Sequence, residues 1–251
     1  MFGKLPITEL TIPETVTTIR EYALSGTAIT ALEIPGNVTE IKDYAFYNCT
    51  ALEELRFEYS KTSLTLGFQD WSDELGPFYQ SPLKYIKLDR DIVYNTNYAA
   101  SCDGWDEGAF SNQYYESGDW TAKVIIGGNV TRLPSYMFAT MRMKELHIPE
   151  SVENIGTGVV DECAKLDAVV FYGLDATNVP TLEEDAFAEP EQIKDNMGRF
   201  VMWKYYLFIP TKDGCKDIYL GKTGWSGLGD YLYSSHNNDE PFWHYQDYEW
   251  Y

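Results

Sequence analysis

Few side chains in this sequence are spaced for chemistry. The three histidines, His147, His236 and His244, are too few and too scattered for a catalytic triad, and no G-x-S-x-G frame is present. Ser81-Pro82-Leu83-Lys84 reads S-x-x-K, and Lys222-Thr223-Gly224 reads K-T-G, the order a serine acyl-transfer enzyme would need. The context argues against it. Pro82 would break the helix that must present the serine, and no S-x-N lies between the two motifs. Acidic residues gather at Asp89-Arg90-Asp91, at Asp103-Gly104-Trp105-Asp106-Glu107-Gly108 and at Asp239-Glu240. Calcium requires several oxygens fixed around a glycine-containing loop, and none of these completes such a frame. They read as solvated loop acids. The cysteines Cys49, Cys102, Cys163 and Cys215 match no zinc spacing and are too sparse for a disulfide scaffold. No catalytic residue, metal or cofactor is expected.

Composition narrows the partner class. The chain has 251 residues, with 19 Lys plus Arg against 39 Asp plus Glu, for a formal net charge of −20. Such a surface repels phosphate backbones and anionic lipid, so nucleic acid is not an expected partner. No apolar run of about 18 residues exists, so no membrane insertion of this segment is expected. Met1-Phe2-Gly3-Lys4-Leu5 lacks the charged and apolar regions of a signal peptide. Aromatics make up 16% of the residues, more than a core alone would use, which points to exposed rings for protein or sugar recognition.

The organising signal is a repeat. Leu10-Thr11-Ile12-Pro13 with Val16 and Ile19 recurs as Leu32-Glu33-Ile34-Pro35 with Val38 and Ile41. The frame returns at Val124-Ile125-Ile126 with Val130 and Leu133, and at Leu146-His147-Ile148-Pro149 with Val152 and Ile155. The template is L-x-I-P-x-x-V-x-x-I-x-x-x-A-F, closed by a link that holds Cys49 or Cys163 in two units. Those cysteines read as small buried apolar groups, too far apart in the array to bond. Asn37-Val38-Thr39, Asn48-Cys49-Thr50 and Asn129-Val130-Thr131 are sequons, which turn chemistry explains better than glycosylation. Strand starts fall at Leu10, Leu32, Leu55, Ile86, Val124, Leu146, Val169 and Leu207. Insertions lie near 58–77, 94–121 and 189–204.

A unit this short cannot bury its apolar side and must stack on its neighbours. In L-x-I the outer two residues point inward and the middle one outward. Eight strands about 4.8 Å apart give a solenoid on the order of 40 Å long. The expected fold is one α/β repeat domain over 1–251, a solenoid with a short-strand ladder, loop insertions and a C-terminal cap. Repeats occupy about 5–210, and the cap and aromatic tail 211–251. Within the cap, Lys216-Asp217-Ile218-Tyr219-Leu220 reads as an amphipathic helix, followed by Gly224-Trp225.

Ile-Pro-x-x-Val-x-x-Ile at 34–41 and 148–155, with Ala45-Phe46-x-x-Cys49, resembles the BspA-like leucine-rich repeat family of bacterial surface and secreted proteins. Ile209-Pro210, Cys215 to Tyr219 and Gly224-Trp225 are similar to the segment that caps such arrays. The resemblance spans roughly residues 5–225. The chain departs from it at the long insertions, at Val160 in place of Phe, and in the acidic tail. The resemblance implies a non-enzymatic recognition or adhesion protein, extracellular or at the cell surface, whose signal or anchor is not in this chain. Its partner would be an extracellular host or bacterial protein, bound by a monomer. Because such proteins have no fixed functional motif, no site residue carries over.

The residues themselves nominate a surface. The middle row is Thr11, Glu33, Arg56, Lys87, Ile125, His147, Val170 and Phe208. The row before each strand start is Glu9, Ala31, Glu54, Tyr85, Lys123, Glu145, Ala168 and Tyr206. Both face outward by the two-residue period. The candidate binding residues are Arg56, Tyr85, Lys87, His147, Tyr206 and Phe208. The competing reading is that an insertion folds over the apolar members and makes them core. The alternative function is a carbohydrate-binding module using the insert aromatics and tail residues such as Phe242, Trp243 and Trp250, although packing of the tail on the cap is the favoured reading because large aromatics mostly bury when they can.

Overall fold

The computed structural model describes residues 7–67, 76–94, 108–111, 120–187, 192–194, 200–203 and 205–234. Within them the chain winds as two parallel ladders over one interior. The front ladder uses the L-x-I segments. Strands Ala31–Ile34, Glu54–Phe57, Tyr85–Leu88 and Lys123–Ile126 pair in that order. Strands Glu145–Ile148, Ala168–Phe171, Tyr206–Ile209 and Leu232–Ser234 form a second run. A bridge between Ala122 and Met143 joins the two runs. Where an isoleucine-proline pair ends a strand, as at Ile34, Ile148 and Ile209, the missing N–H stops the ladder.

The expected solenoid therefore stands, with three corrections to its parts. Leu10 to Ile12 is not a strand; Leu10 is only half-buried and Ile12 caps the end of the interior. The eighth front strand is instead Leu232–Ser234, in the stretch assigned to the tail. The segments taken as insertions also hold repeat structure. A rear ladder runs Thr18–Ile19, Glu40–Ile41, Leu64–Leu66 and Ile92–Tyr94, then Arg132–Leu133, Asn154–Ile155 and Thr181–Leu182. So Leu64–Leu66 and Tyr94, assigned to insertions, belong to this ladder, and Ala109-Phe110 fills the repeat's Ala-Phe position with both side chains buried. Within 189–204, Gln192–Lys194 pairs antiparallel with Phe200–Trp203.

The Ala-Phe turns make a third line of contact between units. Leu24 N donates to Ala45 O, Phe46 N to Pro77 O, Phe110 N to Met137 O and Phe138 N to Val159 O. Tyr22, Tyr44 and Tyr136 open these turns in the left-handed region, and Gly158 takes the same place with φ 57°. A Cβ on Gly158 would sit 2.5 Å from the Tyr136 ring, so this unit needs glycine to let its neighbour's tyrosine lie flat. Gly108 is constrained more tightly, since a Cβ there would lie 2.5 Å from Tyr136 O. Inside the turns Phe46, Phe78, Phe110 and Phe138 stack successively, with centroids 5.2, 5.6 and 6.0 Å apart. Cys49 and Cys163 are buried, and each thiol donates to the carbonyl of the preceding unit, Leu24 at 3.1 Å and Phe138 at 3.0 Å.

Asp89-Arg90-Asp91 is no solvated cluster. Arg90 is 0% exposed, two residues past the end of the Tyr85–Leu88 strand, while Ile92 takes the inward corner that Val38, Val130 and Val152 hold elsewhere. Its guanidinium donates to the carbonyls of Val38 at 2.8 Å, Gly36 at 3.2 Å and Thr62 at 2.6 Å. Asp91 bridges the break in the rear ladder. Its carboxylate accepts from the Thr131 and Arg132 N–H groups and the Thr131 hydroxyl.

The last unit is closed by the helix Cys215–Leu220, which buries Cys215 and Tyr219. Trp225 is fully buried against Phe171 and Tyr219, its indole N–H donating to Pro180 O at 2.8 Å. This is the expected cap.

Two stability outcomes follow from the interior. Phe110→Ala removes the middle ring of a stack and should cost about 3–5 kcal/mol in urea unfolding, while Phe110→Leu costs much less. Arg90→Met strands buried carbonyls without donors and should cost about 2–4 kcal/mol by the same measurement. Arg90→Lys should recover only part, because one ammonium cannot span donors aimed at both Val38 and Thr62.

Candidate functional site

Strand register decides which outward side chains meet. Glu33 lies opposite Arg56, Arg56 opposite Lys87, and Lys87 opposite Ile125. The neighbouring file is Ala31, Glu54, Tyr85 and Lys123. In the second run His147, Val170, Phe208 and Tyr233 align, as do Glu145, Ala168 and Tyr206. Each run thus carries its outward row by backbone pairing, the two runs meeting at the Ala122–Met143 bridge, and the row's side chains are not needed to hold the interior.

In the first run this face is polar and half-exposed. The Arg56 guanidinium lies 4.6 Å from the Tyr85 ring centroid, and its Nη1 donates to the Tyr85 hydroxyl at 3.4 Å. Glu54, from the adjacent file, pairs with Arg56 Nε and raises the arginine's already high pKa. Lys87 lies beside them on the next strand. Lys84 pairs with Glu53 at 2.6 Å. Trp120 sits just ahead of the Lys123–Ile126 strand, with Arg142 5.0 Å and Lys84 5.5 Å from its ring. These rings and cations meet because the register sets them one strand apart.

The second run is aromatic. His147 is half-buried, its Nδ1 2.7 Å from the Tyr172 hydroxyl and its Nε2 3.2 Å from Glu145. Burial, reinforced by Glu145, pushes the Tyr172 pKa up to about 12, so the phenol stays protonated. The arrangement fixes an aromatic surface and presents no nucleophile.

Five of the six nominated residues lie half-exposed on the face: Arg56, Tyr85, Lys87, His147 and Tyr206. Phe208 does not. It is 5% exposed, packed with Ala168 and Val170, with Tyr172, Tyr206 and Tyr233 against it. The reason lies in the register, which flanks Phe208 with Val170 on one side and Tyr233 on the other. Tyr172 and Tyr233 were missed. Tyr172 could have been found by extending the outward period one step past Val170; Tyr233 sits on a strand outside the repeat template. The tail aromatics Phe242, Trp243 and Trp250, and the acidic loop 103–107, lie outside the described residues.

The enzyme-like motif dissolves in the fold. Ser81 is buried and donates to Phe46 O at 3.2 Å, while Lys84 lies half-exposed on Glu53. Lys222 donates to Ala176 O within the cap. Among the described residues no cluster of three His, Cys, Asp or Glu could hold a metal ion, and no helix is long and apolar enough to cross a membrane.

Comparison with known proteins bears on the fold. A solved leucine-rich repeat protein from Bacteroides ovatus is similar at 17% identity with a TM-score of 0.33, over 70% of this chain and 48% of that one. The aligned part thus spans about half the length of that protein. None of the curated proteins compared with the chain matches it. The model of the BspA type leucine rich repeat region matches in 6 copies, over residues 1–69 and 110–197. That is more than half of the sequence, and the chain belongs to the BspA-type leucine-rich repeat family.

Proposed function

We propose that this chain is a non-enzymatic recognition protein, acting as a monomer outside the cell or at its surface, which binds a protein partner through the outward face of its front ladder. The family is associated with surface protein binding and adhesion and is typically non-catalytic. The observation that carries the reading is lateral alignment. Arg56, Tyr85 and Lys87 stand on adjacent strands as a rigid aromatic and cationic group, held by backbone pairing and free of any role in the interior. Tyrosine and arginine on a rigid support are the residue types that concentrate binding energy at protein interfaces. His147 and Tyr206 extend the same face across the second run. Ser81 and Lys84, whose spacing suggested acyl transfer, are engaged elsewhere and form no site.

The test is surface plasmon resonance of the chain against purified extracellular matrix and bacterial surface proteins. For a protein that binds, Tyr85→Ala combined with Lys87→Ala should weaken affinity by about ten-fold or more, roughly 1.4 kcal/mol. The melting temperature should hold, because neither side chain is buried. Affinity that survives this pair and the Tyr206→Ala change would sink the proposal.

A further inference from the structure

The Ala-Phe turns carry a second surface, on a different edge from the front ladder. Tyr22 and Tyr44, which open the first two turns, stack with ring centroids 4.9 Å apart and planes 6° apart. Tyr47, in the same turn as Tyr44, stands edge-on to both, 5.9 Å from Tyr44 and 6.4 Å from Tyr22. It stacks in turn on Tyr79 of the next unit at 6.0 Å. Those distances set Tyr47 beside the Tyr22–Tyr44 stack and not across its end. The far face of Tyr22 therefore carries no ring among the described residues, and Tyr22 is 36% exposed. Asn48, the residue after Tyr47, is exposed, and its side-chain amide has no hydrogen-bond partner among the described residues. In the first unit that position is Gly26, where a Cβ would meet nothing within 4 Å.

We propose that this tyrosine ridge binds a neutral glycan, one sugar ring stacking on the open face of Tyr22 and the chain running on past Tyr47, with the Asn48 amide donating to its hydroxyls. The fold does not require these rings. Gly158 and Asp185 hold the place of Tyr22 and Tyr44 in later turns, and Ala139 and Asp161 hold the place of Tyr47. Asp161 O still accepts from Thr140 N, as Tyr47 O accepts from Gly26 N. Tyr136 is accounted for, since its ring lies against Gly158. Tyr22 and Tyr44 hold left-handed backbone at φ 52° and 54°, a costly conformation for a bulky side chain, and Tyr22 does so while facing water. Charge fixes the ligand class. Arg20 and Lys42 stand against Glu21, Glu40 and Asp43 beside these turns, and Lys42 is paired with Glu40, so the ridge carries little of the chain's −20. A basic polypeptide finds no dense anionic field there, and the net charge of the whole chain repels sulfated and sialylated glycans. A pyranose fits what remains. Its axial C–H groups meet a ring face while its hydroxyls meet amide and phenol groups, the same division of apolar body and polar tip that tyrosine has. The steps of 6.4 Å from Tyr22 to Tyr47 and 6.0 Å from Tyr47 to Tyr79 are comparable with one sugar unit, so an oligosaccharide meets successive rings.

Isothermal titration of the full chain tests this, with cellohexaose, maltohexaose, xylohexaose, mannohexaose and chitohexaose as neutral probes and heparin and polysialic acid as acidic ones. At least one neutral probe should bind with Kd of about a millimolar or tighter, and the acidic probes should not bind. The Tyr22→Gly, Tyr47→Ala double variant installs residues that later turns use in these places. It should weaken binding by about ten-fold or more while the melting temperature holds. Tyr22→Asn alone, with a residue that tolerates left-handed backbone and leaves the Tyr47–Tyr79 stack intact, reads the same loss if the double variant unfolds early. Tyr85→Ala with Lys87→Ala should leave glycan affinity unchanged. Silence across the neutral panel would overturn the proposal, and so would equal binding of heparin. Affinity that survives both ridge variants would move the sugar to other aromatics and overturn it too, as would affinity that falls with the Tyr85 and Lys87 changes. No protein partner enters the measurement, so failure here leaves the front-ladder reading standing.

Discussion

Every unit of this molecule depends on the next for its dry side. Leu55, Ile86, Leu146, Val169 and Leu207 are each 0% exposed, and they are so because the strands before and after cover them. A single unit would leave those side chains in water and satisfy few of its backbone groups. Stacking solves both problems together, since the same translation that covers the apolar file also sets N–H groups against carbonyls in the front ladder, the rear ladder and the Ala-Phe turns. The phenylalanine stack follows from that repeated translation. Left-handed tyrosines such as Tyr22 and Tyr44 are tolerated for the same reason, because two neighbouring units hold the turn in place.

A periodic structure is most exposed where its period fails. Here the ladders fail at different places, the rear one after Ile92–Tyr94 and the front one after Lys123–Ile126. The offset matters. Across the rear break the carboxylate of Asp91 replaces the missing ladder carbonyls, and the Tyr94 hydroxyl donates to Ser135 O at 3.0 Å. Across the front break the Ala122–Met143 bridge keeps contact. Arg90, one residue from Asp91, ties the preceding units through carbonyls of Gly36, Val38 and Thr62. A guanidinium with five donors can serve several carbonyls at once, which explains how a charge is accommodated at a fully buried position.

The fold was legible because L-x-I-P-x-x-V-x-x-I imposes burial at fixed intervals, and that pattern located seven of the front strands. It misplaced the first for a physical reason. Leu10 to Ile12 has the right residues, but it is the end unit, and position in the array decides whether a strand forms. Leu232–Ser234 is the converse, a strand with no repeat signature that forms because the cap delivers it to a waiting edge. The rear ladder was hidden by its brevity, since a two-residue strand at Ile41 or Ile155 leaves no alternation to read. Of the candidate face, Arg56, Tyr85, Lys87, His147 and Tyr206 followed from alternation alone. Phe208 did not, because exposure depends on which strand lies alongside, and that strand was the unforeseen one.

The same geometry separates stability from specificity. Inward positions are bound to Leu, Ile, Val and Phe by the neighbours they must cover. The outward residue between them is set by nothing in the interior, so the face can carry Glu33, Arg56, Lys87, Ile125 and His147 in succession without disturbing the stack. A rigid support of this kind lowers the conformational cost of presenting long side chains, since the Arg56 guanidinium is already held by Glu54 and Tyr85 before any partner arrives. Arg56, Lys87 and Lys123 then bring cations onto three adjacent strands of an acidic chain, at outward positions whose composition the repeat does not dictate.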